Sequence, residues 1–175
     1  TSSQLFHLLR RQALLKERKP LIVLTPKSLL RADVAKSPLH EFTEGGFRFI
    51  FDDPEAPADV KRILLCTGKV AFDLMAHRRE HGITDTAILR VEQLYPFPTA
   101  DLMDVFKRYH QARDIRWVQD EPQNMGAWNF VFGKLRDALQ QFFTSCPYLT
   151  FARVRTTLMV NGVRAETADY RGVDI

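Results

Sequence analysis

The chain opens with a helical pattern of apolar residues. Four apolar side chains recur three or four positions apart near the start: Leu5, Leu8, Leu9 and Ala13. This spacing places them on one face of an amphipathic helix that begins within residues 1–12, and Ser2 or Ser3 is expected to cap its first turn. We therefore predict that the apolar face of this helix is buried.

Uninterrupted apolar runs predict strands that are buried on both faces. One such run covers residues 21–25, between Pro20 and Pro26, and a second strand is predicted at 47–51. Residues 28–31 favour a helical turn. The acidic, proline-containing segment 52–59 has no periodicity and is predicted to be an exposed loop.

From residue 62 onward, strands alternate with helices. The predicted strands are 62–67, 86–91, 115–119 and 148–154, and the predicted helices are about 69–81, 99–109 and 127–143. Gly68 and Gly82 are expected at the turns that flank the first of these helices, and Thr99 is expected to cap the second. This alternation predicts an α/β fold with a mostly parallel sheet and helices on both faces.

Composition narrows the class of protein. With 175 residues, of which 45% are apolar, the chain is long enough for one well-buried α/β domain. The net charge of +4 is spread without any run of five like charges, which argues against nucleic acid, and no apolar stretch reaches membrane-spanning length. Cys66 and Cys146 lie outside any C-x-x-C pair, so we expect no metal or redox motif and a reducing compartment.

In an open α/β sheet, ligands meet the loops that follow the carboxyl ends of the strands. Here those loops are predicted at residues 25–28, 66–69, 92–96 and 119–126. Lys69 stands at a helix start that favours an anion, although an exposed lysine beside a turn glycine is the commoner explanation. For Asp120 and Glu121, an acidic loop is favoured over an acid–base pair. Arg90 and Glu92 share a strand face and are expected to interact.

Three histidines are candidates for chemistry. His77 and His81 are four apart on a predicted helix, which suits a metal ion. The three charged residues between them crowd the position, and we favour a solvated helix face without metal. His7 stands among leucines, and its pattern alone indicates a partly buried histidine.

Six segments, in order, resemble the thiamine-diphosphate-dependent decarboxylating component of 2-oxoglutarate dehydrogenase. They are FHLLRRQ at 6–12, RKPL at 18–21, TPKSLLR at 25–31, CTGKV at 66–70, RVEQLYPFP at 90–98 and WVQDEPQNMGAW at 117–128. The resemblance implies a homodimeric oxidoreductase of the citric acid cycle that decarboxylates 2-oxoglutarate. It also implies transfer of the succinyl group to the lipoyl arm of a dihydrolipoyl succinyltransferase.

The resemblance further implies a division of labour within a longer protein. Thiamine diphosphate and magnesium would be held by preceding domains, and the isolated chain would be inactive. Residues 1–17 would end the pyrimidine-binding domain, residues 18–155 would form a transketolase C-terminal-like domain that supports the dimer and the active-site architecture, and residues 156–175 depart from the family pattern.

By the same resemblance, His7 belongs to the active-site region and handles substrate or intermediate, which makes it the catalytic candidate. Relatives also bind regulators such as acetyl-CoA or AMP, for which Lys27, Arg31 and Lys69 are chemically suitable. Two alternatives stay open: a non-catalytic regulatory domain that binds acyl-CoA or a nucleotide, and a 2-oxoadipate dehydrogenase relative. The bacterial cytoplasm and the mitochondrial matrix fit equally well.

Overall fold

The computed structural model describes residues 1–17, 19–122, 124–145, 153–160 and 163–169. By its internal contacts the chain divides into two compact units, Thr1–Arg48 and Phe49–Ile175. None of the helices among the described residues combines the length and apolar character needed to cross a membrane.

The first unit contains a long helix, α1 (Ser2–Leu14), and a short one, α2 (His40–Thr43), with 3-10 turns at Lys27–Leu29 and Asp33–Ala35 between them. The predicted α1 is present, but its predicted buried face is wrong. The buried residues are polar, Ser3, Gln4 and His7, whereas Leu9 is 51% exposed. The polar face turns inward because hydrogen bonds to residues 37–48 satisfy it.

The predicted strand at residues 21–25 is also wrong. The segment has no regular secondary structure, no described residue pairs with it in a ladder, and Ile22 and Leu24 are 83% and 93% exposed. An apolar run becomes a buried strand only when neighbouring strands satisfy its backbone groups, and the described part of the first unit supplies none. The helical turn predicted at 28–31 appears as the 3-10 turn Lys27–Leu29.

Among its described residues, the second unit contains a sheet of six strands. Its strands are β1 (Ile50–Phe51), β2 (Arg62–Cys66), β3 (Thr86–Val91), β4 (Asp114–Gln119), β5 (Arg153–Val160) and β6 (Val163–Asp169). Their order is β1-β3-β2-β4-β5-β6, with parallel pairing from β3 to β5 and antiparallel pairing at both edges. The mostly parallel sheet is therefore confirmed.

One strand prediction is longer than the strand observed at the sheet edge, and another lies partly outside the described residues. The strand predicted at 47–51 is only two residues long, because its pairing with β3 is confined to Ile50 and Phe51. The strand predicted at 148–154 falls partly on residues 148–152, outside the described residues. The described strand begins at Arg153, and the divergent segment 156–175 contributes most of β5 and all described residues of β6.

Helices cover both faces of this sheet, which confirms the three-layer architecture. Side chains of β2 alternate between the faces: Ile63 and Leu65 join one buried cluster, and Cys66 joins the other. The first cluster includes side chains of α4 (Thr99–Arg108) and α5 (Trp128–Ser145), and the second includes side chains of α3 (Val70–Glu80).

The glycine turns were predicted correctly and the helix caps were not. Gly68 and Gly82 flank α3 with φ of 63° and 58°, the left-handed conformation that glycine adopts without strain. The helices α1 and α4 instead follow Thr1 and Pro98, and neither has a side-chain capping hydrogen bond. The hydroxyl group of Ser3 does not cap α1, because it forms hydrogen bonds with the side chains of Ser37 and Glu41.

Candidate functional site

The carboxyl ends of three central strands meet at one edge of the sheet. Cys66 at the end of β2 lies opposite Arg90 on β3 and Val118 on β4. The loops predicted at 66–69, 92–96 and 119–126 follow these strands and therefore share this edge, which we call the strand-end site. The fourth predicted loop, 25–28, was wrongly assigned to it because that loop lies in the first unit and follows no strand.

Arg90 and Glu92 form the buried ion pair that their spacing predicted. The side chains of Arg90 and Glu92 are only 6% and 18% exposed. The guanidinium carbon of Arg90 lies 4.4 Å from the ring centre of Phe51 and 5.2 Å from that of Phe72. The aromatic faces and the carboxylate together stabilise the cation, so this arginine is held in place within the sheet.

Cys66 is chemically inert at this edge. Its thiol is buried and donates a hydrogen bond to the carbonyl oxygen of Leu89 at 3.6 Å. Burial raises the pKa of the thiol to about 12, so the protonated form dominates at neutral pH. A nucleophilic or redox role for this cysteine is therefore disfavoured.

Lys69 already has an acidic partner. Its Nζ lies 2.7 Å from the carboxylate of Asp73 one turn later, and that hydrogen bond raises the pKa of the lysine. Asp120 lies close enough to interact electrostatically with Lys69, and burial raises the pKa of its carboxyl group. With Glu92 and Glu121 nearby, the strand-end site carries at least as many acids as bases, which disfavours an anionic ligand there.

Gln119 organises the loop that follows β4. Its side-chain oxygen accepts a hydrogen bond from the indole N–H of Trp117 at 2.9 Å. Its amide nitrogen lies within 2.9–3.2 Å of the carbonyl oxygens of Glu121, Pro122 and Met125. One buried amide thus anchors the loop to the strand, a role that sequence reasoning missed. The available signal was a polar residue at the end of an apolar strand.

Gly126 closes the same loop and leaves no room for a side chain. Its φ is 66°, and a Cβ atom would lie 2.9 Å from a carboxylate oxygen of Glu121 and 3.1 Å from the amide nitrogen of Gln119. The glycine is therefore required both for its conformation and for the packing of Gln119.

We expect Gly126→Ala to destabilise the second unit more than Gly82→Ala. Both sites have left-handed φ, which costs about 1–3 kcal/mol for alanine. A Cβ at Gly82 would meet no described residue within 4 Å, whereas at Gly126 it would crowd the amide nitrogen of Gln119, which must shift and weaken its hydrogen bonds, adding about 1 kcal/mol. Urea unfolding of the two variants measures the difference; equal losses would show that the loop adjusts without disturbing Gln119.

In the first unit, His7 is buried, and a hydrogen bond to a described residue holds one of its two ring nitrogens. Its Nε2 donates to the carbonyl oxygen of Glu41 at 2.7 Å. Its Nδ1 is buried and has no hydrogen-bond partner within the described part of the chain. Phe6 contacts the ring edge-on, with 5.1 Å between ring centres. Among the described residues, the hydrogen-bonding capacity of this buried nitrogen is therefore unmet.

The three residues suggested for a regulator do not share a unit. Lys27 lies in a 3-10 turn of the first unit, and Arg31 follows in the same unit, both exposed. Lys69 lies in the second unit and pairs with Asp73. No single unit therefore contains all three cations.

Comparison with known proteins identifies the family. Residues 36–168, more than half of the chain, match the family described as "2-oxoglutarate dehydrogenase C-terminal". The chain belongs to this family. It is 50% identical over 133 residues to the 2-oxoglutarate dehydrogenase E1 component of Cupriavidus necator and 47% identical over 132 residues to that of Coxiella burnetii. The E1 component of Shouchella clausii is 42% identical over 147 residues.

These matches to the 2-oxoglutarate dehydrogenase C-terminal family cover most of this chain but little of each relative. They span 75%, 73% and 79% of the chain, respectively, yet only 14%, 14% and 16% of the relatives. The family assigned from the six sequence segments is confirmed. Three of those segments, at 66–70, 90–98 and 117–128, follow or end the strands of the strand-end site.

Proposed function

We propose that this chain is the C-terminal part of an E1 component that oxidatively decarboxylates 2-oxoglutarate and passes the succinyl group to the lipoyl arm of a dihydrolipoyl succinyltransferase. The observation that carries the proposal is the 42–50% identity to proteins named 2-oxoglutarate dehydrogenase E1 component. The relatives are bacterial, which favours the bacterial cytoplasm over the mitochondrial matrix.

Within that protein, we infer a supporting role for the second unit. The strand-end site does not fit a diphosphate, because its lysine is paired with Asp73 and its buried arginine with Glu92. This agrees with thiamine diphosphate and magnesium being held by preceding domains. The homodimer and any acetyl-CoA or AMP regulator are parts of the same proposal, with the exposed Lys27 and Arg31 of the first unit as regulator contacts. Lys69 is not proposed as a contact, because it pairs with Asp73 at an acidic edge of the second unit.

Exposed apolar side chains on the first unit support the proposal that it packs against a preceding domain. Ile22, Leu24 and Leu14 are between 70% and 93% exposed, and such apolar surface usually marks an interface. Because the relatives are several times longer, we propose that another part of the E1 component covers these side chains. Residues 1–17, which include α1, would then complete the pyrimidine-binding domain.

An assay of the full-length protein tests the proposal. With thiamine diphosphate and Mg²⁺, we expect decarboxylation of 2-oxoglutarate with a higher kcat/KM than for 2-oxoadipate, and succinyl transfer when the acyltransferase is added. The isolated chain should show no turnover and no tight thiamine diphosphate binding by calorimetry. A preference for 2-oxoadipate would move the chain to the neighbouring substrate class, and stabilisation of the isolated chain by acetyl-CoA alone would favour a regulatory domain.

A further inference from the structure

Three side chains that bind metals lie together at the end of α3. His77, Glu80 and His81 are all exposed, and their ligand atoms lie within 4.8 Å of one another. Spacings of three and four residues place them on one face of the helix. The two imidazole rings are stacked, with 3.9 Å between their centres and an angle of 28°. The sequence alone does not show that the carboxylate joins the histidines.

The two arginines between the histidines turn away from this face. Arg78 points into the protein, where its side chain is 6% exposed and pairs with Asp53. Arg79 is engaged by Glu55, to which its Nε donates at 2.9 Å. The positive charges that crowd the histidines in the sequence are therefore matched by carboxylates of the 52–59 loop. This removes the main electrostatic objection to a cation at His77, Glu80 and His81.

The backbone that carries the three side chains is fixed by the end of the helix. Gly82 adopts φ 58°, and the N–H groups of Gly82 and Ile83 donate to the carbonyl oxygens of Arg79 and Arg78. This is the Schellman arrangement, which terminates a helix at a defined residue. The C-terminal end of a helix also favours a cation, because its carbonyl groups carry partial negative charge.

The tautomer of His81 leaves a nitrogen ready to bind. Its Nδ1 lies 3.0 Å from the carbonyl oxygen of His77, and since the carbonyl accepts, Nδ1 carries the proton. Nε2 then has the free lone pair, as in metal-bound histidines whose other nitrogen donates to the backbone. The hydrogen bond orients the ring before any ion arrives.

We propose that His77, Glu80 and His81 form a binding site for a divalent transition-metal ion that prefers imidazole, with Zn²⁺ as the reference ion. Two imidazole nitrogens and a carboxylate oxygen are a zinc ligand set, with bonds of about 2.0–2.2 Å. With the His81 ring held by its hydrogen bond, the exposed side chains of His77 and Glu80 adjust to an ion at its Nε2, since the ligand atoms of all three residues already lie within 4.8 Å of one another. Water completes the coordination, and imidazole ligands select Zn²⁺ and Ni²⁺ over Mg²⁺.

Calorimetric titration of the 175-residue chain with Zn²⁺ tests the site. We expect one Zn²⁺ ion to bind at this site and no heat with Mg²⁺. His77→Ala and His81→Ala should each weaken that binding by about 10-fold or more, and Glu80→Gln by less. All three side chains are exposed, so the variants are expected to fold, and circular dichroism checks this. His110→Ala, which removes another exposed histidine, is the control and should bind as the unmodified chain does.

A second measurement separates this site from weak binding elsewhere. Zn²⁺ that binds the folded end of α3 raises the unfolding temperature, and the rise should disappear in His77→Ala/His81→Ala but persist in His110→Ala. Zn²⁺ affinity that is the same in all variants, or no Zn²⁺ binding by the unmodified chain, would overturn the proposal.

Discussion

Replacement of His7 by alanine in the full-length protein is expected to lower the rate of 2-oxoglutarate decarboxylation by about 100-fold or more. That is the effect of removing a side chain that moves or shares a proton with reacting groups. The resemblance implies that His7 belongs to the active-site region, and the buried Nδ1 of His7 has no partner among the described residues. A group on the substrate or intermediate is the partner that we propose for this nitrogen.

The substitution must be separated from damage to the first unit. Alanine also removes the hydrogen bond from Nε2 to the carbonyl oxygen of Glu41, and an unsatisfied buried carbonyl costs about 1–3 kcal/mol. His7→Gln is the matched control, because its amide N–H can reach the same carbonyl, while its amide group cannot take up and return a proton as an imidazole can. We expect His7→Gln to unfold like the unmodified protein and yet lose activity. Full decarboxylation by either variant would remove His7 from the chemistry.

The measurement that distinguishes these roles is a single-turnover rate of decarboxylation. If His7 is purely structural, its replacement changes the fraction of folded protein and leaves the rate per folded molecule unchanged. Replacement of a residue that handles the intermediate lowers the rate per folded molecule at saturating 2-oxoglutarate. Far-ultraviolet circular dichroism and urea unfolding of each variant supply the folded fraction.

The predictable parts of the fold depend on local patterns. Strands β2, β3 and β4 and helices α3, α4 and α5 match their predictions because each carries its own burial pattern and its own turns. Residues 21–25 have an equally clear apolar run, but a strand needs partners, and the described part of the first unit provides none. The prediction of the buried face of α1 was wrong for a similar reason, since residues 37–48 form hydrogen bonds with its polar side.

At the strand-end site, too, the features set by local sequence were predictable and those that depend on several converging groups were not. The pair Arg90 and Glu92 was predictable because residues two apart on a strand share a face. The anchoring of the 120–126 loop by Gln119 was not, because three carbonyl groups must converge on one amide. The family resemblance includes the segment 117–128 but does not explain its sequence. The structure gives the physical reason for two of its residues: Gln119 anchors the loop, and Gly126 leaves space for the Gln119 amide.

Loss of the ion pair between Asp53 and Arg78 is expected to produce the largest loss of stability. The loop at 52–59 was predicted to be exposed, but the side chain of Asp53 is fully buried and that of Arg78 is 6% exposed. The carboxylate also accepts from the backbone N–H of Ile88 at 2.8 Å and of Glu55 at 3.0 Å. The pair therefore joins the loop, α3 and β3, which no local pattern could show.

We expect Arg78→Met to destabilise the second unit by about 3–5 kcal/mol, since it leaves a carboxylate buried without its cation. Arg79→Met is the matched control, one residue along the same helix. It removes an exposed pair with Glu55, whose side chains are 58% and 47% exposed, and such pairs contribute about 1 kcal/mol or less. Urea unfolding followed by circular dichroism gives both values, and equal losses would contradict the prediction.

A double replacement separates the pair from its surroundings. Asp53→Asn alone keeps an oxygen that can accept from Ile88 but leaves the buried guanidinium of Arg78 with only the longer contact to Glu55, at 3.5 Å, as its anionic partner. If the ion pair dominates, Asp53→Asn combined with Arg78→Met should cost clearly less than the sum of the two single losses, because neither partner is then left as a lone buried charge. Additive losses would instead assign the stability to the backbone hydrogen bonds of Asp53, and the loop would be held by the carboxylate's acceptor geometry and not by its charge.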